Sequence, residues 1–163
     1  MNGTLTVASP AEPRVRLRSA GPDDLEQLRL WKNSAKAGFF FKGEIDATMQ
    51  KAWFAAYLER PGDYMFIVEH EGRKAGCLGF RLENGAADIY NVIAAPGSEG
   101  KGLMAAALRL MCSHIGMQHT KKIGCLVLKG NPALAFYESC GFRAAEDRGD
   151  HTVLTLDWIE SHS

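Results

Sequence analysis

The spacing of apolar residues changes along the chain, and each change marks an element. From Arg14 to Ser19, Val15 and Leu17 alternate with arginines, which predicts an edge strand with one buried face. A helix is expected next, with Pro22 at its start, Asp23 and Asp24 in its first turn, and Leu25, Leu28 and Trp31 along one stripe. A loop then carries Phe39, Phe40 and Phe41 between Gly38 and Gly43. Met49, Trp53 and Tyr57 recur four apart in a second helix that Pro61-Gly62 should stop.

Strand spacing takes over at Tyr64. Runs over Tyr64–Glu69, Lys74–Leu82 and Ala87–Ala94 are separated by Glu71-Gly72 and Asn84-Gly85. Asn-Gly between apolar runs signals a tight hairpin because both central positions tolerate positive φ, so an antiparallel meander is predicted. Helical spacing returns with Leu103, Ala107, Met111 and Ile115, and Gly116 is the expected stop. Ile123 to Leu128 is nearly all apolar, the pattern of a strand buried on both faces beside a parallel neighbour. Asn131 should cap a short helix that has Pro132 first and Gly141 just beyond its end. Phe142–Glu146 and Thr152–Trp158 then form a last strand pair around Arg148-Gly149-Asp150.

Composition narrows the class. At 163 residues, with 46% hydrophobic and 23% charged residues, the chain reads as one soluble globular domain, expected over residues 14–160 behind a loose tail at 1–13. Lysine plus arginine and aspartate plus glutamate both number 19, which leaves no net basic field for nucleic acid. Cys77, Cys112, Cys125 and Cys140 lie too far apart for a CxxC pair, and His114, His119 and His151 lack metal-site spacing. No metal is expected, and the cysteines read as reduced core thiols of a cytoplasmic protein. Met1 to Pro13 lacks the basic and apolar stretches of a leader, and no run approaches the roughly 20 apolar residues of a membrane span.

The segment Ala94-Ala95-Pro96-Gly97-Ser98-Glu99-Gly100-Lys101-Gly102-Leu103-Met104 joins a central strand to a long helix. Glycines at 97, 100 and 102 let backbone N–H groups converge on one point, and the helix N-terminus adds partial positive charge, so a diphosphate suits the segment. A structural turn remains the alternative on these residues alone. Neither a GxGxxG after an early strand nor a GxxxxGK[ST] loop is present.

The order of the parts resembles the GNAT superfamily of acyl-CoA-dependent N-acyltransferases over about residues 14 to 158. That family's Gln/Arg-x-x-Gly-x-Gly/Ala loop falls on Glu99-x-x-Gly102-x-Met104, with Glu99 and Met104 departing from it. A carboxylate near a diphosphate is repulsive and should cost affinity. The family's Asn-x-Ala-x-x-x-Tyr-x-x-x-Gly-Phe element matches Asn131-Pro132-Ala133-Leu134-Ala135-Phe136-Tyr137-Glu138-Ser139-Cys140-Gly141-Phe142. The resemblance implies an α/β fold, with a mixed, mostly antiparallel sheet of about seven strands, helices on both faces and a splayed parallel strand pair. It implies acetyl-CoA as cosubstrate, held by Val92, Ile93 and Ala94 on the strand, by Glu99, Gly100, Lys101, Gly102, Leu103 and Met104 in the loop, and by Asn131. Tyr137 would protonate the departing sulfur, and Asp88, eleven residues before Glu99, would deprotonate the amine. Glu83, Tyr90, Glu69 and His70 are further candidates for that base.

The need for a base follows from the acceptor, since a lysine amine is neutral only about once in two thousand molecules at pH 7, whereas an amino sugar is far less basic. Leu30-Trp31-Lys32-Asn33, the aromatic loop, and Gln50 followed by Trp53-Phe54 resemble a branch that acetylates amino groups on nucleotide-linked sugars. That resemblance places Trp31, Asn33, Phe40 and Tyr90 against the acceptor. The alternatives are acetylation of a protein N-terminus, a lysine or another small amine, or a non-catalytic acyl-CoA-binding module. A homodimer is left open.

Overall fold

Asn84 and Gly85 both take positive φ (53° and 78°), as do Glu71 and Gly72 (51° and 75°). These two tight turns join β3 (Asp63–His70), β4 (Arg73–Glu83) and β5 (Ala86–Ala94) into the expected meander. The structure, a computed structural model, describes residues 4–35 and 43–156; the aromatic loop at 39–41 and Trp158 lie outside that range.

β2 (Arg16–Ser19) extends the meander on one side, and β6 (Ile123–Leu128), β8 (His151–Leu156) and β7 (Phe142–Asp147) on the other. An eighth short strand, β1 (Thr6–Val7), forms within the segment expected to be a tail. Its Val7 is buried beside the α3 core, which gives those residues a reason to order. The sheet runs β1-β2-β3-β4-β5-β6-β8-β7 and is antiparallel except between β5 and β6, as the fold class anticipates.

Each face has its own core. α3 (Leu103–Gln118) lays Leu103, Ala107, Met111 and Ile115 against Phe66, Leu78, Phe80 and Ile89. It passes through Gly116 and ends where His119 N–H meets Ile115 O at 2.8 Å. A mid-helix glycine costs about 1 kcal/mol, less than the burial of a residue such as Ile115 contributes. On the opposite face α1 (Leu25–Ser34) and α2 (Ala47–Glu59) cover Met65, Ile67, Cys77 and Ile93 with Leu28, Trp31 and Tyr57. The approach to α1 is tied to the sheet through buried Asp24, which accepts from Arg18 (2.9 Å), Lys74 (2.7 Å) and Gly21 N–H (2.8 Å). Burial opposes ionisation of Asp24, yet these partners hold its carboxyl far below the usual range.

β6 departs from the two-sided burial its composition suggested. Ile123, Cys125 and Val127 are buried, but Leu126 is 45% exposed because its face opens onto a cleft.

Candidate active site

β5 and β6 pair over only three positions, Ala87↔Ile123, Asp88↔Gly124 and Ile89↔Cys125. Just beyond, the β4–β5 register slips: Gly79 faces Tyr90 but Cys77 faces Ile93, so Asn91 and Val92 share the place opposite Leu78. This is a β-bulge, and its Asn91 takes φ of 52°, a conformation that asparagine tolerates better than most residues. Cys77 Sγ donates to Asn91 O at 3.4 Å, and Lys32 Nζ donates to Asn91 Oδ1. From Tyr90 onward β5 has no partner in β6.

A cleft of about 1020 Å³ opens at this parting. β5 contributes Asp88, Tyr90 and Val92; β6 and the following segment contribute Leu126 and Asn131; α1 and α2 contribute Lys32, Gln50 and Trp53. Strand alternation decides which chemistry faces which side. Ala87 and Ile89 belong to the α3 core, whereas Tyr90 packs with the α1–α2 cluster, and Asp88 shares its parity.

Tyr137 lines the same cleft from α4 (Ala133–Ser139), its ring edge-on to Phe136 and Phe142 at 5.4 and 5.6 Å. Burial, reinforced by the nearby Cys125, Cys112 and Cys140 thiols and the Asp88 carboxylate, pushes its phenol well above the usual value. Tyr137 therefore keeps its proton at neutral pH and can donate it. Asn131 Oδ1 accepts from Ala133 N–H at 2.9 Å, which caps the first turn of α4 as expected.

Asp88 is half-buried, and burial pushes its carboxyl up, opposed by the charge of Arg81 and reinforced by that of Glu83. Tyr90 donates its hydroxyl to Asp63, a carboxylate only 2% exposed that also accepts from Arg60 at 2.9 Å. The Arg81 guanidinium lies 4.0 Å over the Tyr90 ring and 3.5 Å from Asp63. Tyr90 is thereby fixed at the cleft wall.

The glycine loop lies outside the cleft lining. Gly97, Gly100 and Gly102 have φ of 89°, 76° and 74°, and a Cβ at Gly97 or Gly100 would meet nothing within 4 Å, so the loop faces open space. Arg14 donates to Lys101 O across the base of the loop. Glu99 turns its carboxylate back onto Gly97 N–H at 2.8 Å, so the residue that departs from the family pattern occupies one of the loop's own donors. The other departure, Met104, is accommodated by a missing side chain. A Cβ on Gly76 would stand 2.8 Å from Met104 Sδ and 2.4 Å from Ile93 O. Leu103 and Met104 have their side chains buried, so they can offer an anion only backbone N–H groups. Ile93 likewise buries its side chain, while Val92 lines the cleft and Ala94 packs against the α3 core. The N-terminus of a 16-residue helix behind an open turn, continuous with an unpaired strand edge, suits the diphosphate and amide-bearing arm of acetyl-CoA.

Two expected acceptor residues face elsewhere. Trp31 is 4% exposed in the α1–α2 core, where the Leu25, Leu28 and Trp31 stripe buries it. Asn33 clasps Ile45, accepting from its N–H at 2.7 Å and donating to its carbonyl at 2.9 Å, so it shapes the cleft rim through Ile45. Phe40 lies outside the described residues. Lys32 and Arg81 line the cleft without having been singled out from the sequence. Lys32 follows Trp31 by one position, about 100° around the helix, and that rotation was the available signal. Among the described residues no group of three or more His, Cys, Asp or Glu is placed to hold a metal ion, and no helix is long and apolar enough to cross a membrane.

Comparison with known proteins accords with this geometry. The chain is 26% identical over 137 residues to a mycothiol acetyltransferase of Clavibacter sepedonicus, a match covering 80% of this chain and 43% of that protein. It thus spans less than half the length of that relative. Apo FdhC, a nucleotide-linked sugar GNAT, shares the fold with a TM-score of 0.75 and 16% identity over 91% of this chain and 88% of that one. Spermidine N-acetyltransferase from Vibrio cholerae, in complex with CoA and spermine, does so with a TM-score of 0.72 and 19% identity over 87% and 92%. The family model for the acetyltransferase (GNAT) domain matches residues 14–143, and the chain belongs to that family.

Proposed function

We propose that the domain transfers the acetyl group of acetyl-CoA to a primary amine, and that the amine belongs to a nucleotide-linked sugar. The observation that carries the reading is the meeting of Asp88 on β5 and Tyr137 on α4 in one cleft, beside the point where β5 and β6 part. Acyl transfer forms one C–N bond and breaks one C–S bond; the nitrogen gives up a proton and the sulfur gains one. Asp88, on the acceptor face, takes the first proton. Tyr137, held protonated, supplies the second. Backbone N–H groups of the unpaired stretch around Val92 polarise the carbonyl. Gly100, Lys101, Gly102, Leu103 and Met104 hold the diphosphate with backbone donors, and Asn131 and Val92 flank the arm.

Charge supports the acceptor. Lys32, Arg81 and Lys129 line the cleft with Asp88 and Asp150, Arg81 and Lys129 also meeting Asp63 and Asp147, and these cations offer an amine linked to phosphate partners that a polyamine cannot use. Trp53 and Met49 offer apolar area for a ring. FdhC, with the same fold, is described as a nucleotide-linked sugar GNAT. The test is a thiol-release screen with acetyl-CoA over nucleotide-linked amino sugars, peptides and polyamines. A nucleotide-linked amino sugar should give the highest kcat/KM. Faster turnover of spermidine or a peptide would overturn the acceptor, and failure of every amine together with no acetyl-CoA-induced rise in Tm would overturn the acetyl-transfer reading itself.

A further inference from the structure

Of the two lysines that line the cleft, Lys32 and Lys129, one is held on its acceptor side. Lys32 lines the cleft from α1, and its Nζ donates to the side chain of Asn91, the bulge residue next to Val92. Its place is held from both sides along the helix. Trp31 is buried beneath it in the core, and Asn33 is clasped to Ile45. Earlier in the chain, Asp24 anchors the approach to α1 to Arg18 and Lys74. Lys32 Nζ therefore reaches the acceptor side of the strand parting without a change in the backbone.

We propose that Lys32 is itself an acetyl acceptor: without an external amine, its Nζ takes the acetyl group from acetyl-CoA inside the cleft. The inference rests on the acetyl-transfer reading above. Neutral Lys32 Nζ attacks the thioester carbonyl, a C–N bond forms, the C–S bond breaks, one proton passes from nitrogen to water, and Tyr137 protonates the departing sulfur. The products are N-acetyl-Lys32 and CoA, with no further reactant.

The chemistry of the amine favours the step. Burial lowers Lys32 to about 8, with the Arg81 charge acting in the same direction and Cys77 against it. About one Lys32 in ten is then neutral at pH 7, against roughly one in a few thousand for an exposed lysine. Acetylation would remove one of the cleft's cations and add bulk beside Asn91, so the modified protein should accept external amines more slowly.

The experiment incubates the intact chain with acetyl-CoA alone and maps acetylation by peptide mass spectrometry over time. The expected result is a gain of about 42 Da on the peptide carrying Lys32, at least about tenfold faster than on exposed Lys51. Excess CoA should slow the reaction at Lys32 and leave Lys51 unchanged, because only the first depends on the site. Equal rates at the two lysines, or no protection by CoA, would overturn the inference. Thiol release to an external amine, with Lys32 unmodified, would overturn it while leaving the acetyl-transfer reading standing. A chain that neither gains Tm with acetyl-CoA nor releases thiol would remove both.

Discussion

β5 lives in two environments. Ala87, Asp88 and Ile89 have partners in both β4 and β6, whereas Tyr90, Ile93 and Ala94 have β4 alone and Asn91 and Val92 form the bulge between them. The paired end holds Asp88 at the cleft, and the parted end leaves a strand edge open beside it. What separates them is one extra residue at the Asn91–Val92 bulge. Each net hydrogen bond contributes roughly 1 kcal/mol, so leaving a few ladder groups unpaired is a modest cost that a ligand offering matching groups can offset. The loop that follows β5 extends the pattern, since a Cβ at Gly97 or Gly100 would meet nothing within 4 Å.

Three substitutions sharpen this comparison. The largest effect should come from Tyr137→Phe, which removes a hydroxyl at the parted end and keeps the ring packed on Phe136 and Phe142. Turnover should fall by about 100-fold with acetyl-CoA affinity nearly unchanged. Steady-state kinetics beside calorimetric binding would separate the two quantities, and unchanged turnover would assign Tyr137 to the core.

Gly76→Ala tests the join between β4 and the cofactor segment. Its Cβ would stand 2.4 Å from Ile93 O and 2.8 Å from Met104 Sδ, so the strand or the start of α3 must shift. A loss of about 2 kcal/mol in urea unfolding is expected, together with weaker CoA binding. Pairing the change with Met104→Ala should recover part of the binding, because Ala clears the sulfur while the clash with the carbonyl remains.

Asp88→Asn should have the smallest effect on stability, and its sign is informative. Burial raises the Asp88 carboxyl in the folded state, so its contribution to stability is present in acid and is lost as pH rises through the raised value. The Asn variant escapes that loss. Its Tm at pH 7 should exceed that of the parent by about 1–3 °C, and the gap should close as pH falls below the ordinary carboxylate range. Turnover separates the acceptors: a strong loss at pH 7 repaired near pH 9 indicates a lysine-like amine, and a small loss at both indicates an amino sugar.

Much of the frame was legible because local chemistry dictates it. Asn84-Gly85 reads as a hairpin from two residues, and Asn131, Pro132 and Gly141 bracket α4 because each has a distinct terminal role. The glycine loop was legible for the same reason. The bulge was not, since Asn91 sits in an unbroken strand pattern and its register depends on β4. Nor was the match of Gly76 to Met104, which only the folded sheet brings together. Trp31 lies in the core, where its own stripe places it, and Lys32, one position on, faces the cleft.

The central claim is that the parted end of β5 receives acetyl-CoA, and amide hydrogen exchange with and without CoA tests it most directly. The account predicts slowed exchange in the peptides covering 91–94 and 100–104, with no change over 87–89, whose groups are already paired. CoA that raises the Tm yet leaves 91–94 exchanging at its free rate would contradict it.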